Sequence, residues 1–112
     1  MKTPEGKIVD QIQTRLKKLK AEGHHLFWFK VHGSVYTKVG IPDLIVCWGG
    51  RFIAFEVKTP GKKPTKIQEH TMREINLAYG AAYTVTSAQQ VEEILRHHPE
   101  NDFVWPIDGF RP

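Results

Sequence analysis

Cysteine is nearly absent from these 112 residues, since Cys47 stands alone. A disulfide framework is thereby excluded. A reducing, cytoplasmic setting is expected from the same fact. Long apolar runs are missing too, and no stretch approaches the roughly 20 residues of a membrane helix. No contact with a membrane is therefore expected. The opening, MKTPEGKIVD, has no apolar run after its charges, so no secretory signal is expected there. No internal repeat, lipidation signal or linker-like tract interrupts the chain, and a single domain over residues 1–112 is expected. Hydrophobic residues make up 40 % and charged residues 25 %, which is ordinary globular usage and argues against disorder.

The net charge of +4 conceals a division. Residues 1–66 carry 13 basic and 5 acidic side chains, whereas residues 67–112 carry 3 and 7. The basic side chains concentrate in residues 15–20 and 58–66. A positive half suits a polyanion such as nucleic acid. A solvated helix face and a polar loop would leave the same composition.

Thr3-Pro4 reads as a helix start, with Thr as cap and Pro in the first turn. Ile8, Ile12, Leu16 and Leu19 form one apolar stripe, and Gly23 ends the helix. Residues 26–31 are aromatic and β-branched and predict a strand. Residues 43–48 and 51–58 predict two more, joined by the hairpin signal Gly49-Gly50. Residues 59–64 hold two prolines and a glycine and cannot be regular structure. Thr65 caps a second helix with Gln68 three residues on, and its buried side is expected from Ile67, Met72, Ile75 and Tyr79, with Leu77 less regular. Residues 81–86 predict a strand. Ser87 and Gln90 open a last helix with Val91, Ile94 and Leu95 inside. Phe103, Trp105 and Phe110 are expected to pack over the body. The order α-β-β-β-α-β-α implies a mixed β-sheet flanked by helices.

The hairpin register carries the chemistry. With Gly49 and Gly50 at the turn, Trp48 pairs with Arg51, Leu44 with Phe55, and Asp43 with Glu56. Opposed residues share a face, with Cβ atoms about 4.5–5.5 Å apart. Lys58, two residues beyond Glu56, joins them. Opposed carboxylates repel, and these adjoin apolar strands. Either a divalent cation held by hard oxygen ligands offsets this, or Lys58 neutralises one acid at an exposed strand end.

Gly40-Ile41-Pro42-Asp43, followed thirteen residues beyond Asp43 by Glu56-Val57-Lys58, resembles the PD-(D/E)xK nuclease signature. With Glu5 upstream, Lys58-Thr59-Pro60, and Gln68 downstream, the pattern is similar to the VRR-NUC, or virus-type replication-repair nuclease, family. The resemblance spans nearly the whole chain. It implies a restriction-endonuclease-like core. It also implies Mg²⁺ as cofactor, with Mn²⁺ as substitute, held by Asp43, Glu56, the main-chain carbonyl of Val57 and, directly or through water, Glu5. Lys58 would stabilise the attacking hydroxide or the charge on phosphorus. Gln68 would lie near the lysine and the water, although a capping box with Thr65 accounts for it equally well. Gly6 departs from the small polar residue common after the family's first-helix glutamate.

Lys62, Lys63 and Lys66 are candidate phosphate contacts, with Lys38 and Tyr36 lining the same groove. The pairs His24-His25 and His97-His98 do not make a zinc site, because adjacent side chains diverge and the lone cysteine adds little. Cys47 is expected to be a core thiol, and Phe27, Trp28 and Phe29 core aromatics.

The resemblance implies metal-dependent hydrolysis of phosphodiester bonds in DNA, with branched DNA such as Holliday junctions as the expected substrate. It also implies action as a homodimer, as in stand-alone phage and bacterial members, with no small-molecule cofactor. A two-fold axis would bring two sites to opposed strands. The rivals are a nucleic-acid-binding module without catalysis, and a nuclease acting on flaps, ends or plain duplex.

Overall fold

A computed structural model describes residues 2–33 and 39–99 of the chain. Tyr36, Lys38, Phe103, Trp105 and Phe110 lie outside the described residues. The elements run α1 (Pro4–Ala21), β1 (Leu26–Lys30), β2 (Leu44–Trp48), β3 (Arg51–Val57), α2 (Lys66–Leu77), β4 (Ala81–Val85) and α3 (Ala88–His97). This is the α-β-β-β-α-β-α order read from the sequence.

Local chemistry sets the ends of these elements. The Thr3 hydroxyl accepts from the Gly6 amide at 3.0 Å, with Pro4 opening α1. Gly49 and Gly50 have φ of 54° and 85°, which lets a two-residue turn match the strand twist. The ladder then runs Trp48 to Arg51, Cys47 to Phe52, Val46 to Ile53, Ile45 to Ala54 and Leu44 to Phe55, the register deduced from the glycines. Strand order is β1-β2-β3-β4. The first three strands are antiparallel, and β4 joins β3 in parallel after the α2 crossover. The sheet is therefore mixed.

The two faces of the sheet differ. Leu44, Val46, Trp48, Ile53, Phe55 and Val57 pack beneath α1 and α3 in one core. Val9, Ile12, Leu16 and Leu19 are the buried side of α1, with Ile8 only half-buried. Arg15 of α1 bonds Glu92 of α3 at 3.1 Å across the top of this layer. The opposite face carries Phe27 and Phe29, Ile45 and Cys47, and Phe52, Ala54 and Glu56. There α2 lies toward β4, where Thr84 bonds the Met72 sulfur at 3.7 Å, and the β1 side has no helix over it among the described residues.

That asymmetry corrects several expectations. Cys47 is exposed, not a core thiol. Phe27 and Phe29 are 62 % and 49 % exposed, and only Trp28, on the other face, packs on the core. Strand alternation sends neighbours to opposite faces, and only one face of β1 is covered. Within α2, Met72 and Ile75 are half-buried, but Ile67 and Leu77 are exposed and Tyr79 falls beyond the helix end. The buried helix residue is Thr71. In the last helix Ser87 caps Gln90, but the Gln90 carbonyl oxygen accepts from Thr86, so the reciprocal box does not close.

Gly40 settles how the chain enters β2. Its φ is +86°, and a Cβ there would lie 2.5 Å from the Ile67 Cγ2 and 3.0 Å from the Thr71 hydroxyl oxygen. Both strain and clash oppose a side chain. Gly40→Ala is expected to cost about 2 kcal/mol. Gly33→Ala, with open space around the Cβ, should stay within about 0.5 kcal/mol. Urea denaturation of the two variants checks the contrast, and equal losses would contradict it.

Candidate active site

Asp43 stands one residue before β2, and Glu56 one residue past the Leu44 to Phe55 rung of β3. The hairpin thus brings them to the same end of the sheet. The Asp43 carbonyl accepts from the Val31 amide at 2.9 Å. One of its carboxylate oxygens, Oδ2, accepts from the Val57 amide at 2.7 Å. Asp43 is therefore held at both its main chain and its side chain, between the ends of β1 and β3. The second carboxylate oxygen is not used by that bond.

Glu56 is 2 % exposed. Its carboxyl is pushed up from 4.5 to about 8. Burial is the largest cause, and a hydrogen bond and the negative charge of Asp43 reinforce it. Lys58 opposes the shift, and Glu5 adds to it. The charges of Asp43, Lys58 and Glu5 all act on the Glu56 carboxyl. Glu5 lies in the first turn of α1, half-buried. Lys58 is half-buried as well, and its amide donates to the Val85 carbonyl at 2.9 Å, which fixes the strand end that carries it.

The loop after Lys58 also has a local cause. Lys62 donates to the Thr59 carbonyl at 3.1 Å, and Gly61 has φ of 88°. Pro60 and Gly61 are the central residues such a turn prefers. Lys62, Lys63 and Lys66 emerge from it exposed. Gln68 closes the capping box: its carbonyl oxygen accepts from the Thr65 amide at 2.9 Å, and its own amide donates to the Thr65 hydroxyl at 3.2 Å. The structure thus shows the capping role of Gln68 directly. Thr71 is the residue that the sequence concealed. A threonine within a helix reads as surface, yet it is 5 % exposed beneath Gly40.

The donor set suits a hard cation. Two carboxylates lie side by side, and one is driven by burial to keep its proton unless a positive charge replaces it. Magnesium is commonly held by one or two carboxylates with waters filling the remaining positions. Among the described residues no group of three or more His, Cys, Asp or Glu side chains forms a metal cage. Asp43 and Glu56 are thus the side chains able to hold such an ion, with main-chain oxygen and water completing it.

The raised Glu56 carboxyl has a direct consequence for stability. Between pH 4.5 and about 8 the folded protein keeps a proton that the unfolded chain releases. Its contribution to stability is complete below the unfolded value and is lost as pH rises through the folded one. In EDTA, the melting temperature of the wild type should fall across that window relative to Glu56→Gln. The two should converge near pH 4.5, the ordinary value for the group. Parallel thermal melts at stepped pH measure this, and identical pH slopes would refute the buried-acid assignment.

No protein-family model matches the chain. No curated protein matches it. A solved structure described as a VRR_NUC domain superposes with a TM-score of 0.69 at 24 % sequence identity, covering 88 % of this chain and 100 % of the other. Nearly all of that domain's architecture is reproduced here, and the chain has the fold of a VRR_NUC domain.

Proposed function

We propose that this chain is a divalent-metal-dependent DNA endonuclease of the VRR-NUC type. The observation that carries the reading is the buried Glu56 held against Asp43 beside Lys58, at the end of a hairpin whose strands are otherwise apolar. A buried acid pair is costly, and a protein with no use for a cation would gain stability from replacing it. The similarity in fold to a VRR_NUC domain supports the same reading.

Asp43 and Glu56 would hold Mg²⁺ or Mn²⁺, with the Val57 carbonyl as a further oxygen donor and Glu5 acting through water, since no third carboxylate joins them directly among the described residues. When bound, such an ion supplies Lewis-acid polarisation of a phosphate and a more acidic water. The Val57 amide keeps Asp43 oriented. Lys58 places an ammonium beside the acids, where negative charge builds up on the attacking oxygen or the phosphorus. Gln68, fixed by its box with Thr65, shapes the entrance from the α2 side. Lys62, Lys63 and Lys66 meet the DNA backbone and position it without reading bases.

Branched DNA is the proposed substrate, cut by two copies on a two-fold axis so that opposed strands each meet one site. Labelled four-way junctions, flaps, free ends and plain duplex, compared at equal salt, test that choice. The junction should be cut fastest. Cutting should require Mg²⁺ or Mn²⁺ and stop in EDTA.

Glu56→Gln should lower cleavage by at least about 100-fold while junction binding is kept or tightened, because a negative charge is removed. Full activity in that variant, or cutting in EDTA, refutes the mechanism. Binding of the wild type without cutting under any metal would favour a module that binds without catalysis. Combined Lys62→Ala and Lys63→Ala should weaken all DNA forms alike and reduce the salt slope of binding by about 2.

A further inference from the structure

Helix α1 runs the length of the sheet on its core face. Its first turn holds Glu5, whose charge acts on the Glu56 carboxyl. Its far end passes through Gly23 to His24, whose ring stacks on that of Trp48 at 5.0 Å, in the rung next to the hairpin turn. The helix therefore leads away from the acid pair to the opposite end of the strands.

The buried stripe of α1 fixes what faces outward. Val9, Ile12, Leu16 and Leu19 are inside. Lys7, Gln11, Thr14 and Lys18, spaced by four, three and four residues, form the opposite ridge, and all are exposed. Lys17 is exposed beside them. A solvated helix face gains from acids three or four residues from its lysines. The two acids so placed are Asp10, which is bonded to Lys2, and Glu22, which stands past the helix end at the cap. Glu92, which reaches α1 from α3, is held by Arg15 at 3.1 Å and Arg96 at 3.0 Å. Among the described residues, Lys7, Lys17 and Lys18 form no ion pair. Between them stand a glutamine and a threonine, side chains that bond phosphate oxygens as lysine does. Lys7 and Lys18 are about 16 Å apart along the axis, a span that brackets the roughly 12 Å major groove of B-form DNA.

The place of this ridge matters as much as its charge. Lys62, Lys63 and Lys66 are exposed on the α2 side, which is the other face of the sheet. The sheet stands between the two basic surfaces. One straight duplex cannot lie against both, whereas two arms that part at a branch can.

We infer that the outer ridge of α1 is a second seat for DNA backbone, taking the arm of a branched molecule that the loop lysines do not hold. This seat presupposes the DNA-cutting function proposed above and supplies a physical basis for preferring branches. Its contacts go to phosphate, so it holds every base sequence alike.

Fluorescence anisotropy in EDTA, where no strand is cut, tests the seat on the full chain. Lys7→Ala, Lys17→Ala and Lys18→Ala combined should keep the helix, since alanine favours it, and circular dichroism checks the fold. Affinity of this variant for a four-way junction should fall by about tenfold or more, and its salt slope by about 3, one for each lost phosphate contact. Affinity for a plain duplex of one arm's length should fall by less than about twofold. Lys20→Ala removes a charge on the other side of the helix, two residues on from Lys18, and should change neither. Reductive methylation of Lys18, followed by mass spectrometry, should be slowed by the junction and not by the duplex.

A triple variant that binds the junction as the wild type does, while the wild type binds and cuts it, overturns the seat alone. Equal losses on junction and duplex overturn its assignment to a second arm. A loss from Lys20→Ala as large as from Lys18→Ala reduces the effect to net charge and overturns it too. A wild type that neither binds nor cuts DNA with any metal removes the function on which the seat rests.

Discussion

The Val57 amide donating to the Asp43 carboxylate is the contact on which the site depends. It closes a short bridge between the entrance to β2 and the exit of β3, and it spends only one lobe of the carboxylate. Glu56, the neighbour of Val57, is carried with it into a nearly waterless position. Two acids that would separate in solution are thereby held together, and burial first, with Asp43 second, raises the Glu56 carboxyl.

The division of the sheet into two unlike faces makes this possible. One face is spent entirely on the core under α1 and α3. The other is free to carry polar chemistry at one end and apolar surface at the other. Because β3 lies between β2 and β4, even its polar-side residues Ala54 and Glu56 are buried. The helices close the polar end: α1 presents Glu5 in its first turn, and α2 begins at the loop that exposes three lysines. Each helix start has its own cap, so local bonds fix where these groups enter the fold.

The apolar end shares strands with the end that holds Asp43 and Glu56. Residues 43 and 45, and 54 and 56, alternate along the same two strands.

The hairpin, its register from Leu44–Phe55 to Trp48–Arg51 and the placing of Asp43 and Glu56 at its open end were legible in the sequence. Two adjacent glycines permit one tight turn, and the period of two then assigns every side chain to a face. Helix starts were legible for the same local reason, at Thr3, Thr65 and Ser87. What the sequence alone could not assign was which face of each element would be covered. Phe27 and Phe29 are as apolar as Trp28, and Cys47 as small as any core residue, yet they face outward because, among the described residues, no helix crosses that side of β1 and β2. Thr71 is buried against the Gly40 turn, and Ile67 and Leu77 are exposed, because the turn that covers α2 comes from elsewhere in the chain and periodicity does not encode it. Burial is a property of the partner across the gap, and only the tertiary arrangement supplies that partner.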